Sequence, residues 1–469
     1  MSAPSRDDLK KKSEQRVKEI TAWIEKNRNC LKEGLKHNAF YDGKDEPFDV
    51  YELPRHLLRL NPNNWRFRAE FEPVKQERQK LGKPIELDSD NEDDVKAIRD
   101  LLMGIKPKNQ QRKDRYNNLK KEFIAKSRSG GNGQKTPGLI LWDGTYVNGN
   151  RRDTILEDLS NKPPEGCQPT QFQRILVSIL PKDTTQTDIK ANETSEQIGL
   201  DSRERYDYTN SALMIEDYVQ QLVKVEKLTE KAAYKEIANQ VFGLEEEEIA
   251  DYINFKLMAD EFLKVIGKPG QYNYVQDSVD DEKQGGGIVT ILKEFKEHKE
   301  KLLKKNLGPT KTRDALKASY AFAWYSKEKP KIRDKKTGKL KPMKEYQHRA
   351  WRNFKTGCFD SKQSIDKLLE SGNVKKINWK DPQEHALTFV TDIARAKNVT
   401  ETTTAIVQPI ANLETAESKL SKVNSDLNGP RKYQITSEIL QQDGLKIIAK
   451  IQQYIAEISK KVNKSTRKR

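Results

Sequence analysis

Two arginines directly after an asparagine–glycine bend are the side chains best suited to chemistry in this 469-residue chain. Gly138 to Leu159 reads GLILWDGTYVNGNRRDTILEDL. Leu139, Ile140, Leu141 and Trp142 predict a strand, Asp143-Gly144 a turn, and Tyr146-Val147 a short second strand. Asn148-Gly149 then bends into a helix whose apolar face is Ile155, Leu156 and Leu159. A glycine turn that opens a helix presents backbone N–H groups at the positive end of the dipole. Arg151 and Arg152 add forked donors that match phosphate oxygens. Gly144, Asn148, Gly149, Asn150, Arg151 and Arg152 are therefore the candidate contacts for a phosphorylated ligand, with Arg151 foremost. The competing structural role is a turn cap for Asp143 and a surface salt bridge for Arg151.

The surrounding pattern supplies elements to position that box. Residues 8–36 read as one amphipathic helix carrying Val17, Ile20, Trp23, Ile24, Leu31 and Leu35, packed on an α/β domain. A strand over 48–60 ends in the turn Asn61-Pro62-Asn63-Asn64. Helices follow at Asp94–Met103 and at Arg112–Lys126, the second strongly basic with Phe123 and Ile124 as anchors. The glycine-rich Ser127–Gln134 lacks the Lys-Ser/Thr of a P-loop and reads as a flexible connector. Beyond Tyr206 the chain turns helical, with Leu213, Ile215, Tyr218, Val219 and Leu222 on one face. Leu228–Leu263 holds two amphipathic helices, capped at Thr229 and broken at Gly243.

DGTYVNGNRRDTIL resembles the strand–turn–helix box of the ParB/sulfiredoxin superfamily, with its Gly-x-Arg-Arg. Three further pieces stand in that family's order. Tyr51–Phe67 is similar to its first strand and Asn-Pro loop, and Ile175–Leu180 to its return strand. Ala191–Val219 is similar to its glutamate/asparagine–arginine motif before a helix, and the likeness spans roughly Phe48 to Gly267. The resemblance implies a nucleoside triphosphate, CTP or ATP, held by Asn148 to Arg152 and by Arg203, with Mg²⁺ as companion. It implies Asp143, Glu193, Glu196 and Glu204 as the carboxylates that would fix a turn, orient water or act across the pocket. It also implies a helix-turn-helix at 206–270, although Glu245 to Glu248 open its second helix with charge that repels DNA. Asn150 stands where the family has glutamate and sulfiredoxins their cysteine, so thiol chemistry is not expected.

Composition narrows the partners. Lys+Arg number 87 against 71 Asp+Glu, a formal +16 that favours a polyanion, DNA above all. Three scattered cysteines without a CxxC pair exclude a disulfide scaffold and point to a reducing cytoplasm. The N-terminus has no apolar core, and no apolar run reaches roughly 18 residues, so neither secretion nor membrane spanning is expected. Residues 288–350 hold 19 Lys+Arg against 7 Asp+Glu, with Tyr320, Phe322, Trp324, Tyr325 and Tyr346 interleaved, and Trp351 and Phe354 just beyond. Within them Lys327, Lys329, Lys331, Arg333, Lys335, Lys336, Lys339, Lys341 and Lys344 form a basic hairpin or loop, the candidate DNA contact. Residues 436–462 predict a long helix able to pair with a second copy, before a basic tail.

The expected architecture is an N-terminal helix (1–47), an α/β (α+β) ParB/sulfiredoxin-like domain (48–205), a helix-turn-helix-like region (206–270) and a linker (271–287). A basic, mostly helical domain (288–460) and a tail (461–469) complete a chain that is predominantly helical. Three functions fit: a nucleotide-binding DNA-associated protein, with or without NTPase activity; a nuclease or kinase on the same fold; or a non-enzymatic DNA-binding adaptor. Plasmid or chromosome partition, phage defence and transcriptional control are all compatible settings.

Overall fold

An Asp-Gly pair starts the sheet. Asp42 and Gly43 both adopt positive φ, 51° and 77°, and join β1 (Leu31–Tyr41) to β2 (Lys44–Pro54) with Tyr41 opposite Lys44. Such two-residue turns twist with the strands they connect. The computed structural model describes residues 6–198, 207–241, 243–277, 287–333, 339–343, 346 and 348–400. The single helix expected over 8–36 therefore ends early: α1 spans Arg6–Lys26, and Leu31 already belongs to β1. Strand pairing wins over helix there, and Gly34, at φ 74°, sits in the register irregularity between Leu31 and Lys36. β2 likewise begins at Lys44 and closes at Pro54, short of residue 60.

The strands and helix expected around Asp143-Gly144 and Asn148-Gly149 form. β3 (Gly138–Ile140) and β4 (Tyr146–Asn148) pair antiparallel, α5 (Asn150–Asn161) follows, and β5 (Arg174–Ile179) returns parallel to β3. The sheet order is β1-β2-β5-β3-β4. Leu53, Ile140, Tyr146, Ile175 and Val177 share one core with Ile20 of α1, Phe71 of α2 (Arg68–Lys80), Ile98 of α3 (Glu92–Met103), Tyr116 of α4 (Gln110–Ser127) and Leu156 of α5. Leu139, Val147 and Ala39 belong to a second cluster, which Ile189 of α6 (Gln186–Ile198) joins. The glycine-rich stretch is pinned rather than loose. The Gln134 amide donates to the Leu176 carbonyl at 2.8 Å and accepts from its N–H at 2.7 Å, as a neighbouring strand would.

Helices α7 (Tyr208–Lys224), α8 (Glu230–Gln240) and α9 (Glu246–Val265) continue the chain, with Thr229 capping α8 and Glu245 to Glu248 exposed. One apolar core then runs on through α10 (Ile288–Lys293), α11 (Phe295–Lys304), α12 (Pro309–Glu328), α13 (His348–Phe359), α14 (Lys362–Leu369) and a helix at 386–400. The interleaved aromatics are this core. Phe295 stacks on Tyr320, Phe322 on Phe354, and Trp351 is 2% exposed. Between α12 and α13 a small antiparallel hairpin, β6 (Lys331–Arg333) and β7 (Leu340–Pro342), stands exposed. Met1–Lys397 is one compact unit; residues 398–469 form another, of which 398–400 are described. The final helix expected at 436–462 and the basic tail lie outside the described residues. Among the described residues no helix is long and apolar enough to cross a membrane.

The sheet-bearing and helical parts meet at a buried polar hub. Glu70 of α2, 2% exposed, accepts from Arg112 of α4 at 2.6 Å, Asn109 at 2.7 Å and Gln276 at 3.0 Å. Asn210 of α7 bridges the hub to Asp207 at 2.6 Å and accepts from the Ala69 N–H at 2.9 Å. Burial, then the neighbouring Glu70, raise the Asp207 carboxyl above its ordinary range, and Arg112 opposes the rise. Arg112→Ala leaves two carboxylates without their cation and is expected to cost about 3–5 kcal/mol, read as a fall in the urea midpoint.

Candidate functional site

Asn150 joins two of the three segments that meet at the start of α5. It is the first residue of α5 and only 2% exposed, and its Oδ1 accepts from the backbone N–H of Asn61 at 2.6 Å. The side chain of Asn61 points the other way, donating from Nδ2 to Glu193 Oε1 on α6 at 3.1 Å. Asn61 Oδ1 also accepts from Asn63 N–H, so the Asn61-Pro62-Asn63-Asn64 turn is locked by the residue that bridges the site. Loop, helix start and α6 are thereby joined across separations of 89 and 132 residues.

Backbone geometry fixes the bend. Gly149 has φ 125°, and a Cβ there would lie 3.1 Å from the Tyr146 ring. Gly149 and Gly138 back onto each other, a Cβ on Gly149 lying 3.4 Å from the Gly138 Cα. Only glycine tolerates both demands. Gly149 caps nothing with a side chain, and the Asn150 Nδ2 is a buried donor with no partner among the described residues. The bond from Asn61 N–H fixes which end of the amide is the acceptor. An acceptor group brought to this point meets an unanswered donor at the positive end of a helix.

The two arginines diverge. Arg151, 7% exposed, lies close enough to α4 for its charge to lower the Tyr116 phenol, which burial and Asp158 otherwise raise. Arg152 donates to the Pro137 carbonyl at 2.7 Å, bracing the entry to β3. Arg151 is buried and Arg152 half-buried. Asp143 caps its turn by accepting from Thr145 N–H at 3.1 Å and anchors α1 through Ser13 at 3.0 Å and Arg16 at 3.5 Å. Arg16 also donates to the Asp143 carbonyl at 3.2 Å, so this carboxylate holds α1 on the sheet. Gly144, at φ 83°, lets Arg59 donate to its carbonyl at 2.9 Å. Asn148 is buried in β4.

Glu193 is the titratable group of the site. Burial pushes its carboxyl up to about 7, with Lys190 and the Asn61 amide acting in the opposite direction. Lys190 pairs with Asp217 and lies 5.5 Å over the Trp65 ring. A carboxyl that titrates near neutrality is suited to exchange a proton with a bound water or ligand. Glu196 lies on the same helix, α6. Arg203 and Glu204 lie outside the described residues. Among the described residues no group of three or more His, Cys, Asp and Glu is placed to hold a metal ion.

The candidate DNA contacts are divided as well. Lys331, Arg333, Lys339 and Lys341 are exposed on or beside the hairpin, and Gln383 grips its root through the Lys331 N–H (2.8 Å) and carbonyl (2.6 Å). Lys327 donates to the Gln276 carbonyl, and Lys329 ends α12 in the left-handed conformation; both are half-buried. Lys335, Lys336 and Lys344 lie outside the described residues. The bridging role of Asn61 escapes a reading that sees only a plain turn; its signal is two asparagines flanking a proline.

No protein-family model, curated protein or solved structure matches the chain.

Because folded Glu193 titrates near 7 against an ordinary 4.5, the native state keeps its proton through that interval. The stability due to its neutral form is full below pH 4.5 and is lost as pH rises through 7. At about 1.4 kcal/mol per pH decade, the loss is on the order of 3 kcal/mol. Urea unfolding at pH 5 and pH 8 reads it by comparison. The change in stability between the two pH values should differ between the wild type and Glu193→Gln by that amount. Other titrating groups, such as buried His298 with its imidazole lowered to about 3, act equally in both.

Proposed function

We propose that this chain is a nucleotide-binding, nucleic-acid-associated protein, with a ParB/sulfiredoxin-like pocket at the start of α5 and a basic hairpin that engages DNA. The observation that carries the reading is the convergence of Asn61, Asn150 and Glu193, which leaves the buried Asn150 Nδ2 without an acceptor. The superfamily resemblance places a triphosphate, CTP or ATP, against the same turn. Gly149 and Asn150 would take its phosphates, and Glu193 would hold or release a proton beside them. A Mg²⁺ companion would draw its ligands chiefly from phosphate oxygens and water, since these residues offer no carboxylate cluster. Hydrolysis would then depend on Glu193 orienting water.

One observation favours the adaptor instead. Arg152 braces the Pro137 carbonyl and Arg151 turns toward α4, an arrangement that also suits a scaffold which has kept the fold of the box without its ligand.

Asn150→Asp separates the two readings. It keeps an acceptor for Asn61 N–H and replaces only the unpartnered donor with negative charge, which the helix start tolerates. Calorimetric titration of the full chain with CTP and with ATP, each with Mg²⁺, should show binding that weakens at least tenfold in this variant. If the wild type binds neither nucleotide, the adaptor stands. Nicking of plasmid in the same mixtures would identify the nuclease.

For DNA, the triple variant Lys331→Glu, Lys339→Glu, Lys341→Glu should weaken binding at every sequence alike. It should also flatten the plot of log affinity against log salt by about 0.9 per phosphate contact removed. An unchanged slope would move the DNA contact elsewhere.

A further inference from the structure

The flank of α5 carries a cleft of about 700 Å³, formed with the turn after β2 and with α3. Its α5 lining begins at Asp153 and ends at Asn161, so it is separate from the Gly149–Asn150 bend. Four arginines line it: Arg55, Arg59, Arg99 and Arg174. Only two carboxylates do, Asp153 and Glu157, and Arg55 occupies both. It holds Asp153 through two hydrogen bonds, 2.8 and 3.2 Å, and Glu157 through a third of 2.7 Å.

What remains is cationic and unsatisfied. Arg99 reaches Glu157 only at 3.6 Å, and its Nε–H is buried with no partner. Arg59 pairs with Asp90 through its Nη1, yet its Nε–H is likewise buried and unpartnered. Burial and the nearby charge of Arg16 lower the Arg59 guanidinium to about 10, with Asp88 and Asp143 acting in the opposite direction. A buried donor without an acceptor is destabilising, the more so when charged. Four arginines around one cleft, two of them carrying a donor that no other described residue answers, mark a place where an acceptor from outside the chain would restore the balance. Guanidinium forks suit the paired oxygens of a phosphate better than a single-point acceptor, and the volume is that of a small-ligand pocket.

We propose that this cleft is a second anion site, in which Arg59 and Arg99 grip the polyphosphate group of a small ligand.

Inorganic pyrophosphate is the probe, titrated calorimetrically into the full chain at low salt. Binding in the wild type, weakened at least tenfold in Arg99→Ala and abolished in Arg99→Glu, is the expected result. Arg99 is partly exposed, at 28% of its side chain, so Arg99→Ala should fold. The proposal is overturned if the wild type binds no pyrophosphate at millimolar concentration. It is equally overturned if Arg99→Ala and Arg99→Glu bind as tightly as the wild type. Asn150→Asp tells the two sites apart: loss of pyrophosphate in that variant, with full binding in Arg99→Ala, would place the anion at the α5 bend and leave the cleft without a ligand.

Discussion

A carboxylate that cannot reach water governs how this chain comes together. Isolated in the interior, Glu70 would be costly by several kcal/mol; it is tolerated because Arg112, Asn109, Gln276 and Asn210 arrive from three parts of the chain. Those donors sit on α4, just before it, on α7, and in the segment that follows the Tyr272–Val275 turn. The sheet-bearing and helical parts are therefore closed by one polar knot. A boundary drawn near residue 206 passes beside Asp207 and Asn210, members of that knot. Whatever the bend at Gly149 binds, its loop is held from the same place: the Arg66 carbonyl, shortly after Asn61, accepts from Asn210 at 3.1 Å.

Charge and aromaticity, mixed in the sequence beyond residue 288, separate in space. Phe295, Tyr320, Phe322, Trp351 and Phe354 form a stacked interior, whereas the cations of the hairpin lie outside. Buried rings offer no platform for bases, so attraction of nucleic acid by this region would rest on phosphate contacts and carry little sequence preference. The exposed glutamates at the start of α9 add to that asymmetry, since they would hold a duplex away from the helix pair around Gly243.

Local signals were legible and long-range ones were not. Asp143-Gly144 and Asn148-Gly149, flanked by apolar residues, specify β3, β4 and α5 within a few residues, and the continuous apolar run at Ile175 specifies β5. β1 was hidden because Lys32, Glu33, Lys36 and His37 look like the solvent face of a helix, although Asp42-Gly43 carried the hairpin signal. Arg151 is buried, and its charge reaches Tyr116, 35 residues upstream on α4, a proximity that no spacing rule reports. Glu193 could be named as a carboxylate, but its elevated pKa comes from burial, which only the assembled fold supplies. The α5-flank cleft is assembled from the turn after β2, α3 and α5, so it has no sequence motif at all.

Among the described residues the hairpin between α12 and α13 pairs with no third strand, and Gln383 covers its β6 edge only at Lys331. Two of its apolar side chains stand in water, Ile332 at 41% and Leu340 at 62% exposure. An open ribbon of that kind invites a second ribbon to add to it. Lysine and arginine along its rim would oppose such an addition by mutual repulsion. A polyanion that neutralised the rim would remove that repulsion, so molecules gathered on one strand of nucleic acid would become adhesive toward each other while those in solution stayed dispersed.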